Sequence, residues 1–134
     1  MKYIKKFLVF ILFVSCSNIN ENKNMEFNQV LEDYFQESLY LYKIDGTFQG
    51  DSRYNDTLPN FLSDEFVNKE KMFYKKYLKK INSFENSNLN EEDLLSKNVL
   101  KWECEMNLDR MKFPADLMPV DQMWGFQLTM GQLA

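Results

Sequence analysis

The chain contains very few residues that interrupt a helix. Its 134 residues include only 4 Gly and 3 Pro, whereas bulky apolar side chains are abundant, with 12 Phe and 7 Tyr. Gly and Pro are the strongest local breaks in regular structure, so their scarcity favours long helices. Hydrophobic residues make up 45% of the chain, which is typical of a folded protein and not of a disordered one. We therefore expect at most one domain, built from long helices.

Three segments repeat apolar residues at a spacing of three and four, as one face of a helix does. The first runs from about Met25 to Lys43, with Asn24 as its predicted N-cap. The second should begin after Ser63 and the third after Asn90, because acidic residues follow both caps, as the helix dipole favours. The third should continue to Pro114. The predicted core stripes, in chain order, are Phe27, Val30, Leu31, Tyr34, Phe35, Leu41 and Tyr42; Phe66, Phe73, Tyr77, Leu78 and Ile81; and Leu95, Val99, Trp102, Met106 and Phe113.

The predicted fold class is all-α, with three main helices joined by one long loop, and the helices are expected to belong to a larger helical domain. The long loop is Ile44 to Leu62, which contains two Gly, several Asp and Asn, and one Pro. The stretch from Leu117 to Ala134 is rich in Met and Leu and almost free of charge. Either this apolar stretch folds back over the helices or a partner covers it, and we favour the partner.

The first residues are typical of a secretion signal. Basic Lys2, Lys5 and Lys6 precede the apolar run Phe7 to Val14, which is far shorter than the about 20 residues needed to span a bilayer. The sequence Phe13-Val14-Ser15-Cys16 resembles the lipobox of bacterial lipoproteins, although Phe13 stands where Leu is preferred. The alternative is that Cys16 is an ordinary thiol of a plain signal peptide.

We therefore predict lipid attachment at Cys16, which would anchor the protein in the bacterial cell envelope on the exported side of a membrane. Cys104 would then stand alone as a small buried apolar residue. Removal of residues 1–15 takes away three of the 16 basic residues and none of the 20 acidic ones. A chain this acidic is not expected to bind nucleic acid.

The chain contains no His, and its two Cys are far apart in the sequence. A zinc site needs three or four ligands from Cys, His and carboxylate, and a Ser or Cys nucleophile normally needs an imidazole to take its proton. We therefore predict no catalytic residue, no metal ligand and no cofactor in this chain.

The tract Gly50-Asp51-Ser52-Arg53-Tyr54-Asn55-Asp56-Thr57-Leu58-Pro59 resembles the segment after the first helix in the bacterial family called domain of unknown function 885. Met118-Pro119 and Gln122 to Gly125 resemble the Pro-x-x-Gln-x-x-Gly stretch that follows in that family. The resemblance implies a lipoprotein several times longer than this chain. It also implies zinc and a metallopeptidase-like C-terminal part with a His-Glu-x-x-x-x-His type motif, which matches no position here.

Six residues of this tract are candidate site residues: Gly50, Asp51, Arg53, Tyr54, Asp56 and Pro59. In one interpretation, Asp51, Arg53 and Asp56 line the substrate channel of the full-length protein. In the other, the two Asp side chains accept hydrogen bonds from nearby backbone amides, and Arg53 pairs with a carboxylate that holds the loop closed.

The predicted organisation is a signal peptide (1–15), a lipidated polar tether (16–24) and the N-terminal helical portion of a larger domain (25–134). The leading functional hypothesis is an N-terminal fragment of a lipid-anchored, metallopeptidase-like envelope protein, inactive alone. Its partners would be the membrane and the C-terminal catalytic portion. The alternative is a small stand-alone lipoprotein that binds another envelope protein through its apolar surface.

Overall fold

The computed structural model describes residues 18–113, 117, 120, 122 and 125–133, and throughout these residues the regular structure is helical. The predicted all-α class is therefore confirmed. Residues 1–15 and Cys16 lie outside the described residues. The α-helices are α1 (Asn18–Leu41), α2 (Lys43–Phe48), α3 (Asp64–Asn82), α4 (Glu91–Arg110) and α5 (Phe126–Leu133), and two short 3-10 helices cover Ser52–Tyr54 and Asn86–Asn88.

The two predicted N-caps of the later helices are confirmed. The Ser63 hydroxyl accepts a hydrogen bond from the backbone amide of Phe66 at 3.2 Å. The Asn90 side chain accepts one from the amide of Asp93 at 2.8 Å, and its own amide donates to the Asp93 carboxylate at 2.9 Å. Both caps satisfy amides that the first turn of a helix leaves without partners.

The first helix is longer than the apolar pattern indicates. It includes Asn18 to Asn24, so the prediction of Asn24 as an N-cap is wrong, and part of the expected tether is helical. The polar residues in this stretch cost only a few tenths of a kcal/mol each in helix propensity relative to Ala. A lack of apolar periodicity therefore does not stop the helix.

The predicted long loop is also partly helical, because α2 occupies its first residues. This short helix ends in a Schellman motif: Gly50 has a positive φ of 83°, its amide donates to the Thr47 carbonyl, and the Asp51 amide donates to the Gly46 carbonyl at 2.9 Å. A left-handed residue at this place is usually Gly. The backbone conformation at the end of α2 therefore explains why the first residue of the tract is Gly.

The core lies where α3 packs against both α1 and α4. The Phe27 ring meets the Phe84 ring edge-on at 5.4 Å, and Tyr34 stacks on Phe73 at 5.1 Å. Cys104 is a free, fully buried thiol, as predicted, and burial raises its pKa to about 12. The buried members of this core are Phe27, Val30, Phe73, Tyr74, Tyr77, Ile81, Leu100 and Cys104.

The predicted core stripe of α4 is wrong, because these residues face outward. Leu95, Val99, Trp102 and Met106, which we call the outer stripe, are all exposed, with Leu95 at 65% and Trp102 at 63%. Phe113, beyond the end of the helix, is exposed as well. The opposite face of α4 is the buried one.

Two polar residues on the buried face of α4 explain this orientation. The ammonium group of Lys97 donates to the carbonyl of Phe84 and to the side-chain oxygen of Asn86 at 2.6 Å, and Asp93 is held by the Asn90 cap. Buried polar groups are tolerated when they are hydrogen-bonded. Lys97 therefore fastens the connection between α3 and α4 and places Leu100 inside.

The apolar C-terminal stretch is described only in part; Met118, Pro119 and Trp124 lie outside the described residues. Leu117 and Val120 are exposed, whereas Gly125 is buried. Helix α5 was not predicted from the sequence. A partner over this stretch stays a prediction.

Candidate functional site

The beginning of the tract is closed by its own charged side chains. The Asp51 carboxylate accepts a hydrogen bond from the backbone amide of Arg53 at 3.0 Å and pairs with the Arg53 guanidinium at 2.6 Å. The same guanidinium donates to the side-chain oxygen of Gln36 on α1 at 2.8 Å. Hydrogen bonds from Arg53 hold the pKa of Asp51 below its usual value. Asp51 and Arg53 thus make the contacts that the structural interpretation predicts, whereas a place in a substrate channel stays a prediction.

The other candidate residues of the tract take no part in the hydrogen bonds of this ion pair, although the Arg53 guanidinium lies 5.6 Å from the centre of the Tyr54 ring. Tyr54 packs edge-on against Tyr40, with ring centres 6.0 Å apart. Asp56 is exposed and accepts a hydrogen bond from the Thr57 hydroxyl, where a backbone amide was expected. Tyr54 and Asp56 line one cavity of about 410 Å³, and Pro59 lines another, mostly apolar one of about 510 Å³.

A polar cleft of about 360 Å³ lies between α1, α3 and α4, with Asp45 of α2 also in its lining, and it was not anticipated from the sequence. Tyrosine hydroxyls and charged side chains from all three helices converge there. Tyr34, Ser38 and Tyr42 recur every four residues in the sequence, which is a signal that hydroxyl groups line one side of α1 and continue at Tyr42, just after its end. The lining residues are Tyr34, Ser38, Tyr42, Asp45, Glu70, Tyr74, Glu103, Asn107 and Arg110.

Glu70 is the buried centre of the hydrogen-bond network in this polar cleft. Its side chain is only 9% exposed, and one carboxylate oxygen accepts from the Tyr42 hydroxyl at 2.5 Å and from the Arg110 guanidinium at 2.8 Å. Tyr42 also bonds the Tyr74 hydroxyl at 2.9 Å. A buried carboxylate needs such partners, because burial without them costs several kcal/mol.

A separate hydrogen bond at the polar cleft links α1 to α4. The Tyr34 hydroxyl of α1 donates to the Glu103 carboxylate of α4 at 2.8 Å. Burial, followed by this hydrogen bond, raises the pKa of Tyr34 well above its ordinary value. Burial likewise raises the pKa of Tyr42, and it raises that of Tyr74 to about 12. The phenols therefore stay protonated at neutral pH.

The raised pKa values of these tyrosines predict that the folded protein loses stability at alkaline pH. A phenol whose folded-state pKa lies above its unfolded value of about 10 contributes stability that is complete below pH 10 and is lost as pH rises through the folded-state value. For Tyr74 that window runs from the ordinary phenol pKa of 10.0 to a folded-state pKa of about 12. We expect the free energy of unfolding, measured by urea titration, to fall across it. In the triple variant Tyr34→Phe, Tyr42→Phe, Tyr74→Phe the fall should be smaller, and an unchanged fall would contradict the assignment.

The described residues contain no group of three or more His, Cys, Asp or Glu side chains that could hold a metal ion. Zinc stays an implication of the family resemblance. Among the described helices, none is long and apolar enough to cross a membrane.

Comparison of the chain with protein-family models, curated proteins and solved structures finds no match. The resemblance to the domain of unknown function 885 family stays a prediction.

Proposed function

We propose that this chain is the N-terminal helical part of a larger, lipid-anchored and metallopeptidase-like envelope protein, in which it contributes a structural surface and no catalytic residue. Cys16 would carry the lipid. The part of the protein that performs the chemistry would pack against the helices described here.

The outer stripe of α4 is the observation that carries this proposal. Its four large apolar side chains are at least half exposed, although the same helix buries Leu100 and Cys104 on its other face. A contiguous apolar patch of about a few hundred Å² on a folded protein usually marks an interaction site. Helix surfaces of this kind are normally covered by another helix.

The closed tract is consistent with a structural role as well. Because Arg53 is bound to both Asp51 and Gln36, the tract is fastened to α1 before any partner is present. Such a fixed loop can present the exposed Leu58 and Leu62 to a neighbouring surface.

The second candidate is a small stand-alone lipoprotein that binds another envelope protein. It is favoured by the core that α1, α3 and α4 already share, since a chain with its own core has the main requirement for folding alone. In this case the outer stripe would bind a separate protein.

The proposal is tested on the native protein in the bacterium that produces it. An antibody raised against the chain should detect a protein clearly longer than 134 residues in the membrane fraction. Replacement of Cys16 with Ala should move the protein from the detergent phase to the aqueous phase, because the acyl chains contribute about 0.8 kcal/mol per buried methylene. Cys104→Ala is the matched control and should leave the partition unchanged.

A protein no longer than the chain would support the stand-alone lipoprotein instead. If the Cys16→Ala protein still partitioned into detergent, the lipid anchor would be wrong.

A further inference from the structure

The outer stripe borders the polar cleft. Glu103 follows Val99 by four residues and precedes Met106 by three, so it is their neighbour on the surface of α4. Arg110 follows Met106 by four residues in the same way. Because Glu103 and Arg110 both line the polar cleft, a molecule that covers the outer stripe also reaches the cleft.

The polar cleft carries uncompensated negative charge. Its lining contains the carboxylates of Asp45, Glu70 and Glu103 and the guanidinium of Arg110. The guanidinium is bound to Glu70. Within the described part of the chain, Glu103 accepts a hydrogen bond from the neutral Tyr34 hydroxyl but has no ion pair, and the Asp45 carboxylate has none either. Two acidic groups therefore face the space beside an apolar surface.

We propose that the outer stripe and the polar cleft together bind one amphipathic helix of the same larger protein, through an apolar face and a Lys or Arg at the edge of that face. The cationic end of this side chain enters the cleft and pairs with Glu103. This inference rests on the proposed function, because it takes the helix from the remaining part of that protein.

The charge around the outer stripe and the small size of that stripe favour a basic amphipathic helix of the same polypeptide. Glu91 and Glu92 lie at the N-terminal end of the outer stripe and add to the negative charge, so an acidic helix or an anionic lipid surface would be repelled. The outer stripe has four large side chains, whereas an interface between separate chains usually buries about 800 Å² and about 20 to 30 residues on each partner. A helix of the same polypeptide needs less area, because the covalent connection gives it a high effective concentration.

The experiment uses the full chain in phosphatidylcholine nanodiscs and two synthetic helical peptides of equal length. The peptides share one leucine stripe and differ only in the residues beside it, which are Lys in one and Glu in the other. Binding is measured by the fluorescence anisotropy of a dye on each peptide, with empty nanodiscs as the blank. We expect the Lys peptide to bind at least about tenfold more tightly than the Glu peptide.

Four variants, one of them a control, assign the binding to this surface. Trp102→Glu and Leu95→Glu should each weaken the binding of the Lys peptide at least about tenfold, because each places a charge in the apolar contact. Met72→Glu is the matched control on α3, where Met72 is 70% exposed, and should bind as the parent chain does. Glu103→Gln should reduce the preference for Lys several-fold. Circular dichroism checks that each variant is folded.

Equal binding of the two peptides would overturn the recognition of a cation, and binding of neither would overturn the docking surface. An equal loss in Met72→Glu would overturn its location. If the native protein proved no longer than the chain, the assignment of the helix to the same polypeptide would fail together with the proposed function. A clear preference for the Lys peptide would then still establish the surface, so the two failures are distinguishable.

Discussion

Replacement of Phe27 with Ala should lower the free energy of unfolding by about 3 to 5 kcal/mol, the usual cost of removing a buried aromatic ring. Phe27 is fully buried in the core, and its ring meets the Phe84 ring edge-on. The variant loses the apolar contacts of the ring and leaves a cavity that the helices can only partly fill. Urea unfolding followed by circular dichroism measures the loss.

The matched control is Phe48→Ala, because Phe48 is 53% exposed on α2 and makes a smaller contribution to burial. We expect a change of about 1 kcal/mol or less there. Equal effects of the two variants would mean that Phe27 does not hold the core together as described.

Replacement of Arg110 with Met should lower the free energy of unfolding by about 2 kcal/mol, because it leaves the Glu70 carboxylate buried with only a neutral donor. Breaking a fully buried ion pair costs about 3 to 5 kcal/mol, but the Arg110 side chain is 55% exposed, so water screens part of the interaction. The Tyr42 hydroxyl continues to donate to Glu70. Urea unfolding again gives the value.

Two controls separate this effect from the general loss of a basic residue. Lys101→Met removes the more exposed pair with Glu105 at 3.8 Å and should cost about 0.5 kcal/mol or less. The double variant Arg110→Met, Glu70→Leu should recover most of the lost stability, since it removes the stranded charge. A double variant as unstable as the single one would show that Glu70 is not the cause.

The starts of α3 and α4 could be predicted from the sequence, because capping is local chemistry. Ser63 and Asn90 need only an amide three residues away, and such a partner is always present once the chain turns. Only part of the buried face of α3 could be predicted from periodicity: Phe73, Tyr77 and Ile81 are buried as expected. Glu70 and Tyr74 are buried too and were not predicted, because their hydrogen-bond partners lie elsewhere in the chain. The start of α1 could not be predicted, because the polar residues after Asn18 have no pattern and yet are compatible with a helix.

The polar cleft could not be assembled from the sequence, because its partners are distant in the chain. Tyr34 and Glu103 are 69 residues apart, and Glu70 and Arg110 are 40 apart. No local spacing connects them. The ion pair of Asp51 with Arg53 is different, since these residues are only two apart. In one of two interpretations the sequence predicted a carboxylate partner for Arg53, although it did not identify that partner as Asp51.

The sequence by itself therefore determined the helical class, the N-caps of α3 and α4 and the apolar part of the core stripe of α3, because propensity, capping and periodicity act within a few residues. The tertiary structure decided which face of α4 is buried. The Lys97 ammonium group can donate to the Phe84 carbonyl only after α3 and α4 are packed together. Because this hydrogen bond satisfies the buried ammonium group, the more polar face of α4 can be buried. The outer stripe is exposed as a consequence.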